Sequence, residues 1–165
     1  MSRAQLPGCY DKNVTEAAVN RIQEHFDRIR PAPAALAMRF YQLLFAANPE
    51  LRALFPADLN EQYGHFATTL QRVIDNLGRI IVDTELQELG ARHLGYGAQP
   101  QHYLAARDAL VGALQQFAGA DWNDSLARDW RLAINMVIIA MLRGAAIQTA
   151  ALAQQLAAED TINGI

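Results

Sequence analysis

The chain has 165 residues, 52% of them apolar, which is enough to build one domain around a core of its own and excludes a disordered chain. Fourteen Lys and Arg against 17 Asp and Glu give a net charge of −3 with no run of like charge, so nothing resembles an electrostatic arm for nucleic acid or anionic lipid. The longest unbroken apolar run, Met136 to Leu142, falls far short of the roughly 20 residues that cross a bilayer, no signal-like stretch opens the chain, and Cys9 has no second thiol; a soluble cytoplasmic protein is expected.

Thirty alanines mixed with Leu, Gln, Arg and Glu, with no alternating β-branched and aromatic segment, predict an all-α fold of about seven helices joined by short linkers. A first helix over 13–29 opens on the capping-box spacing Asn13/Glu16 and presents an apolar stripe of Val14, Ala18, Ile22, Phe26 and Ile29. His25, among polar neighbours, is assigned to the surface. A second helix over 33–47, started by Pro31 and Pro33, carries Phe40, Tyr41 and Phe45, and a short one over 50–55 ends on Phe55. The helix predicted over 59–78 opens with Asp58 and Glu61 at capping-box spacing. It sets Gln62 and Phe66 on one face, with His65 about 60° round from Gln62 on the side away from Phe66. A helix over 84–94, led by Asp83, is stopped by Gly95 and Gly97. Another over 100–118 starts at Pro100 and holds His102, read as a surface residue, and Tyr103. The last, over 122–157, starts near Asp121, is striped by Leu126, Trp130, Ala133, Val137, Met141 and Ala145, and runs on through an Ala/Gln-rich segment. Domain organisation follows as a tail over 1–12, one domain over 13–158 and a tail over 159–165.

No two of the four histidines have the spacing of a zinc clip. His93 stands apart because it shares a face with Leu86 and Leu89 and so points to the core. Spacing alone leaves two readings open, a buried histidine satisfied by a backbone carbonyl and an axial ligand to a metal cofactor. Tyr41 and Gln62 are, by themselves, equally a core-edge tyrosine and a surface amide.

The succession Phe40-Tyr41, Phe45, Pro49, Leu51, Leu54-Phe55, then Gln62 with Phe66, then Leu89-Gly-Ala-Arg-His93-Leu-Gly-Tyr-Gly97 with Pro100 and Tyr103, and finally Trp130, resembles a bacterial hemoglobin of the group formed by flavohemoglobin heme domains and related single-domain globins. It covers about Asn13 to Ile147 in the family's order and nearly at its spacings. The resemblance implies a globin fold around heme b, with His93 as the proximal ligand and Phe55 packed on the heme. The Leu89 carbonyl would fix the His93 ring. Tyr41 and Gln62 would overhang the vacant position as donors to bound O2, and Phe66 would limit space there. For His65 three roles stay open: a propionate partner, a solvated side chain, or a sixth ligand.

The sequence also departs from that group. A tyrosine and a glutamate back the proximal histidine in flavohemoglobins; Tyr103 matches the tyrosine, but the glutamate position falls on Ile147, and no acid occurs between Asp129 and Glu159. Tyr103 is therefore either that partner or simple packing, and a weaker electron push onto iron is expected, against O–O cleavage. At this length no flavin and pyridine-nucleotide reductase is expected. The leading expectation is a non-enzymatic globin that binds O2 reversibly, with CO and NO as further ligands. The alternatives are a nitric oxide dioxygenase fed by an external reductase and a heme-based gas sensor. Monomer and homodimer are both left open.

Overall fold

A computed structural model describes residues 14–30, 32–77 and 80–163; Cys9, Asn13 and Pro31 lie outside them. The chain folds into α1 (Glu16–Ile29), α2 (Pro33–Ala47), a 3-10 helix (Pro49–Leu54), α3 (Asn60–Asp75), α4 (Ile80–Gly95), α5 (Pro100–Ala118), a 3-10 turn (Gly119–Asp121) and α6 (Asp124–Asn163). No strand occurs among the described residues, and the expected elements are present in order.

Their ends differ from the capping signals in instructive ways. The cap of α1 lies two residues after the expected one, because the Thr15 hydroxyl accepts from the Ala18 amide at 3.2 Å. Asp58 accepts from the Asn60 amide at 2.9 Å ahead of α3 and forms no reciprocal box with Glu61. α4 begins at Ile80 rather than at Asp83, which lies instead in its first turn, where the exposed amides favour an acid. The cap of α6 is Asn123, whose side chain accepts from Leu126 N at 3.0 Å, and the helix runs to Asn163, beyond the expected 157.

The predicted faces are the buried ones. Ile22, Phe26 and Ile29 of α1 join Leu36, Phe40, Tyr41 and Leu44 of α2, Leu110 and Leu114 of α5, and Leu126, Trp130 and Ala133 of α6 in one core. A second, smaller core holds Leu86 of α4, Tyr103 of α5, and Ile138, Ala140 and Met141 of α6. α4 is thus bound chiefly to α6, and α3 chiefly to α2. A cleft remains between α3 and α4, bridged by the Arg72–Glu85 ion pair at 2.5 Å.

Two glycines let α4 and α6 touch through their backbones. A Cβ on Gly90 would sit 1.8 Å from the Met141 carbonyl oxygen, and one on Gly144 would sit 1.8 Å from that of Gln87. The helices therefore run antiparallel at a separation no other residue permits.

His25 overturns its surface assignment. Only 1% exposed, it accepts a hydrogen bond from Trp130 Nε1 to its Nδ1 at 3.1 Å and lies edge-on to Trp122 and Trp130. Its Nε2 is buried with no hydrogen-bond partner, and burial, with Arg28 nearby, lowers its pKa to about 4. The physical reason lies in the helix, since position 25 follows Ile22 by three and falls on the buried stripe despite its polar sequence neighbours. His102 is half-buried rather than free at the surface. Its Nδ1 accepts from the Gln99 amide at 3.1 Å, closing a capping box at the start of α5.

α6 has the length and mean hydropathy, 1.7 over its apolar window, of a helix able to cross a membrane; 22% of that window is buried, and Leu126, Trp130 and Ala133 nearer its start lie in the core.

Candidate functional site

The residues singled out by sequence fall into two groups, or walls, one around Tyr41 of α2 with Phe66 of α3 and one around His93 of α4. On one wall Tyr41, 3% exposed, is enclosed by aromatic rings: Phe40, Phe45, Phe55, Tyr63 and Phe66 all have centroids within 4.8 to 5.7 Å of its own. Phe66 stacks flat on Phe40, 4.3 Å away, and Phe55 stands edge-on to Phe45 at 5.2 Å. The 3-10 helix is what brings Phe55 there, and the Arg52 guanidinium fastens the following turn by donating to the carbonyls of Phe55, Pro56 and Ala57 at 2.8 to 3.1 Å.

Gln62, at the start of α3, donates from Nε2 to the Tyr41 hydroxyl oxygen at 2.9 Å. With its oxygen engaged as an acceptor, the phenol keeps its own proton to donate elsewhere. Burial pushes the Tyr41 pKa up to about 12, only partly offset by the Gln62 bond, so the hydroxyl stays protonated across the physiological range. His65 is exposed and takes no place in this group.

On the other wall His93 lies near the end of α4, and its ring is oriented by the chain itself. Nδ1 donates to the Leu89 carbonyl, one turn back, at 2.8 Å, which leaves Nε2 with the lone pair. Burial lowers the His93 pKa, and the Leu89 bond partly opposes it. The turn that ends α4 is pinned as well, since the His93 carbonyl accepts from the amides of Tyr96 and Ala98 at 3.1 and 3.0 Å, and Gly97 adopts φ +84, open to a residue without Cβ.

Behind His93 the ring of Tyr103 lies 6.3 Å away, centroid to centroid. Its hydroxyl is buried without a hydrogen-bond partner, and burial raises its pKa. What surrounds it is apolar: Leu86, Ile138 and Met141, with Leu89 and Val137 alongside. Ile147 is 61% exposed and outside this core. A small cavity of about 110 Å³ opens between the helices, lined by Thr69, Val73, Leu86 and Leu89 among others. The larger surface groove, about 840 Å³ between α2 and α5, lies away from all of these residues.

No group of three or more His, Cys, Asp or Glu side chains able to hold a metal occurs among the described residues. A single half-buried imidazole oriented by its own helix, with a separate aromatic cluster that holds one phenolic donor, suits a metal that arrives inside its own macrocycle.

Comparison with known proteins agrees. The globin family profile matches residues 38–142, and the chain belongs to the globins, a superfamily of heme- and oxygen-binding proteins. It is 24% identical over 127 residues to a flavohemoprotein of Vibrio cholerae, covering 73% of this chain and 32% of that one. It is 29% identical over 114 residues to a flavohemoprotein of Bacillus cereus, covering 65% and 27%. The chain thus spans about a third of the length of these relatives. Leghemoglobin 2 of Sesbania rostrata is 24% identical over 131 residues, covering 72% of this chain and 86% of its own. Among solved structures, the fold matches a bacterial globin from Campylobacter jejuni with TM-score 0.69 and 17% identity, over 84% of this chain and 99% of that one. It also matches an engineered carbene transferase built on a Rhodothermus marinus protein named as a nitric oxide dioxygenase, with TM-score 0.76 and 21% identity, over 84% and 98%.

Proposed function

We propose that this globin binds O2 reversibly at a heme held by His93. The reading rests on two groups that the chain itself orients: His93, with Nδ1 fixed on the Leu89 carbonyl, and Tyr41, with its oxygen fixed by Gln62 and its proton free. Heme b fits, because the sequence has no CxxCH for covalent attachment. When bound, the heme supplies a ferrous centre able to take up a diatomic gas.

The rest of the chemistry belongs to the chain. His93 Nε2 would hold the iron, and its carbonyl-anchored Nδ1 gives less anionic character than a carboxylate partner would. Tyr41 donates a hydrogen bond to a polarised diatomic ligand, a bond worth about 1.5 to 3 kcal/mol when the acceptor carries charge. Gln62 holds the Tyr41 oxygen in place, and the rings of Phe40, Phe55 and Phe66 exclude water, which strengthens that bond. With His65 exposed, no second histidine is expected to ligate the heme. Absorption and resonance Raman spectra of the ferric, deoxy-ferrous, O2 and CO forms test this: a six-coordinate low-spin deoxy form, or no stable O2 form, overturns it.

A second reading, nitric oxide dioxygenation with an external reductase, is favoured by the similarity to flavohemoproteins. Turnover of NO and O2 with cellular reductases separates the two, since a carrier stops after one equivalent.

A further inference from the structure

Between the 3-10 helix and α3 the chain runs without regular structure over residues 55–59, and it is held there from its carbonyl side. Pro56 has no amide proton to donate, and it favours extended backbone in the residue before it, as the Phe55 angles of φ −119 and ψ 152 show. The Arg52 guanidinium supplies the donors. Its Nη1 donates to the carbonyls of Phe55 at 3.1 Å and Pro56 at 2.8 Å, and its Nη2 to that of Ala57 at 2.8 Å. Three successive carbonyls turned on one group bring like partial charges together, an arrangement that needs a cation at its centre. The same guanidinium lies over the ring of Phe45, 5.5 Å from its centroid, and Phe45 in turn stands edge-on to Phe55 at 5.2 Å. Arg52 therefore holds Phe55 twice, through its backbone oxygen and through the ring beside it.

We propose that Arg52 is a positioning residue for the heme pocket: by clamping residues 55–57 it fixes the Phe55 ring and sets how long heme stays bound. The proposal rests on the heme reading above, in which Phe55 packs on the macrocycle. Phe55 is half-buried and stands edge-on to Tyr41 at 5.5 Å. Such ring contacts are individually weak, so the ring keeps one place only if the backbone that carries it is fixed. The clamp also bears on the Tyr41 hydroxyl, since residues 57–59 lead into α3, where Asp58 accepts from the Asn60 amide at 2.9 Å and Gln62 donates to Tyr41. A looser turn thus weakens the anchor of Tyr41 as well, and O2 release quickens, though less than heme loss. Lysine is a poor substitute, because its ammonium is a point charge on a flexible stem without the planar fork that serves three acceptors in fixed positions. Its charge still offsets the converging carbonyls, so it separates the fork from the cation.

The test is the transfer of hemin from the ferric protein to an excess of heme-free myoglobin, followed at the Soret band. Arg52→Met, which keeps the stem and removes the donors, is expected to lose hemin about tenfold faster than the parent, and Arg52→Lys about threefold faster, both with unchanged circular dichroism. Phe55→Leu should also speed the loss, and the double variant Arg52→Met/Phe55→Leu should lose hemin no faster than Phe55→Leu alone, because Arg52 acts through that ring. Hydrogen exchange of the hemin-loaded proteins gives a second readout: the amides of residues 57–62 should exchange faster in Arg52→Met, and less so in Arg52→Lys, while those of α1 and α5 exchange as in the parent. The proposal is overturned by hemin loss from Arg52→Met within about twofold of the parent rate, by additive effects in the double variant, or by exchange that quickens across all helices alike. A parent that takes up no hemin overturns the heme reading, and this proposal with it, so the parent alone tells the two failures apart.

Discussion

The two walls handle their polar atoms in opposite ways. Around Tyr41 the hydroxyl is engaged by Gln62 and crowded by five aromatic rings from α2, α3 and the 3-10 helix. Around His93 the ring is held by a backbone carbonyl, and of the two tyrosine rings beside it, Tyr96 and Tyr103, the second has its hydroxyl buried with nothing to bond. Polar design has gone into the Tyr41 wall, where a ligand's charge would develop, and has been left incomplete on the other. That division is what the proposed reversible binding of O2 would use.

The largest expected effect breaks the His93 wall outright. His93→Leu should remove most heme from the purified protein and, by losing a ligand that binds only the folded state, more than about 4 kcal/mol of stability. Soret absorbance per chain and thermal midpoint are the measurements. Next comes the support of that wall. Gly90→Ala places a methyl group 1.8 Å from the Met141 carbonyl oxygen, so α4 must move off α6 at a cost of about 3 kcal/mol or more. Urea unfolding should show it, with a shifted ferrous spectrum in the protein that remains folded.

The Tyr41 wall should respond selectively. Tyr41→Phe keeps the ring and deletes the donor, so O2 release is expected to quicken about tenfold to a hundredfold while CO release changes little, because CO carries little negative charge. Gln62→Leu should act in the same direction but less, since it loosens the phenol without removing it. Stopped-flow displacement of both gases checks this, and equal effects on O2 and CO would reduce Tyr41 to packing.

How far these walls were legible in the sequence depended on the range of the interaction. The helix faces were readable, because Ile22, Phe26 and Ile29 follow a 3.6-residue period that burial enforces. Helix starts slipped by up to a few residues, because several caps compete within one stretch: Thr15 against Asn13, Asn123 against Asp121. His25 was misjudged from its chain neighbours when its angular position decides its burial. The Tyr41–Gln62 bond joins residues 21 apart on different helices, and no local pattern encodes it; only the resemblance brought the two together. Gly90 and Gly144 gave no signal, because a close backbone approach leaves no periodicity to read.

His25 gives a pH test outside the cleft. Folding lowers its pKa from 6.5 to about 4, so between those values the unfolded chain binds the extra proton. This contribution is complete above pH 6.5 and is lost as pH falls towards 4, at up to about 1.4 kcal/mol per pH unit. His25→Leu should remove that slope. It should also cost about 1 to 3 kcal/mol at pH 7, because Trp130 Nε1 loses its acceptor. Unfolding free energies of the two proteins at several pH values between 4 and 7 give both numbers.

The smallest expected effect sharpens the comparison most. Tyr103→Phe deletes a hydroxyl that has no partner and sits among Leu86, Ile138 and Met141, so the folded state loses no hydrogen bond and sheds an unpaired polar atom. Stability should stay within about 0.5 kcal/mol of the parent or rise, and the iron–histidine stretching frequency should not move, because the Leu89 carbonyl and not Tyr103 orients His93. Were Tyr103 instead coupled to His93, the same substitution would shift that frequency and the ferric/ferrous midpoint together while leaving the fold intact. Resonance Raman spectroscopy and a redox titration of the single variant distinguish packing from partnership, and an unchanged spectrum would place the whole burden of orienting the imidazole on one backbone carbonyl.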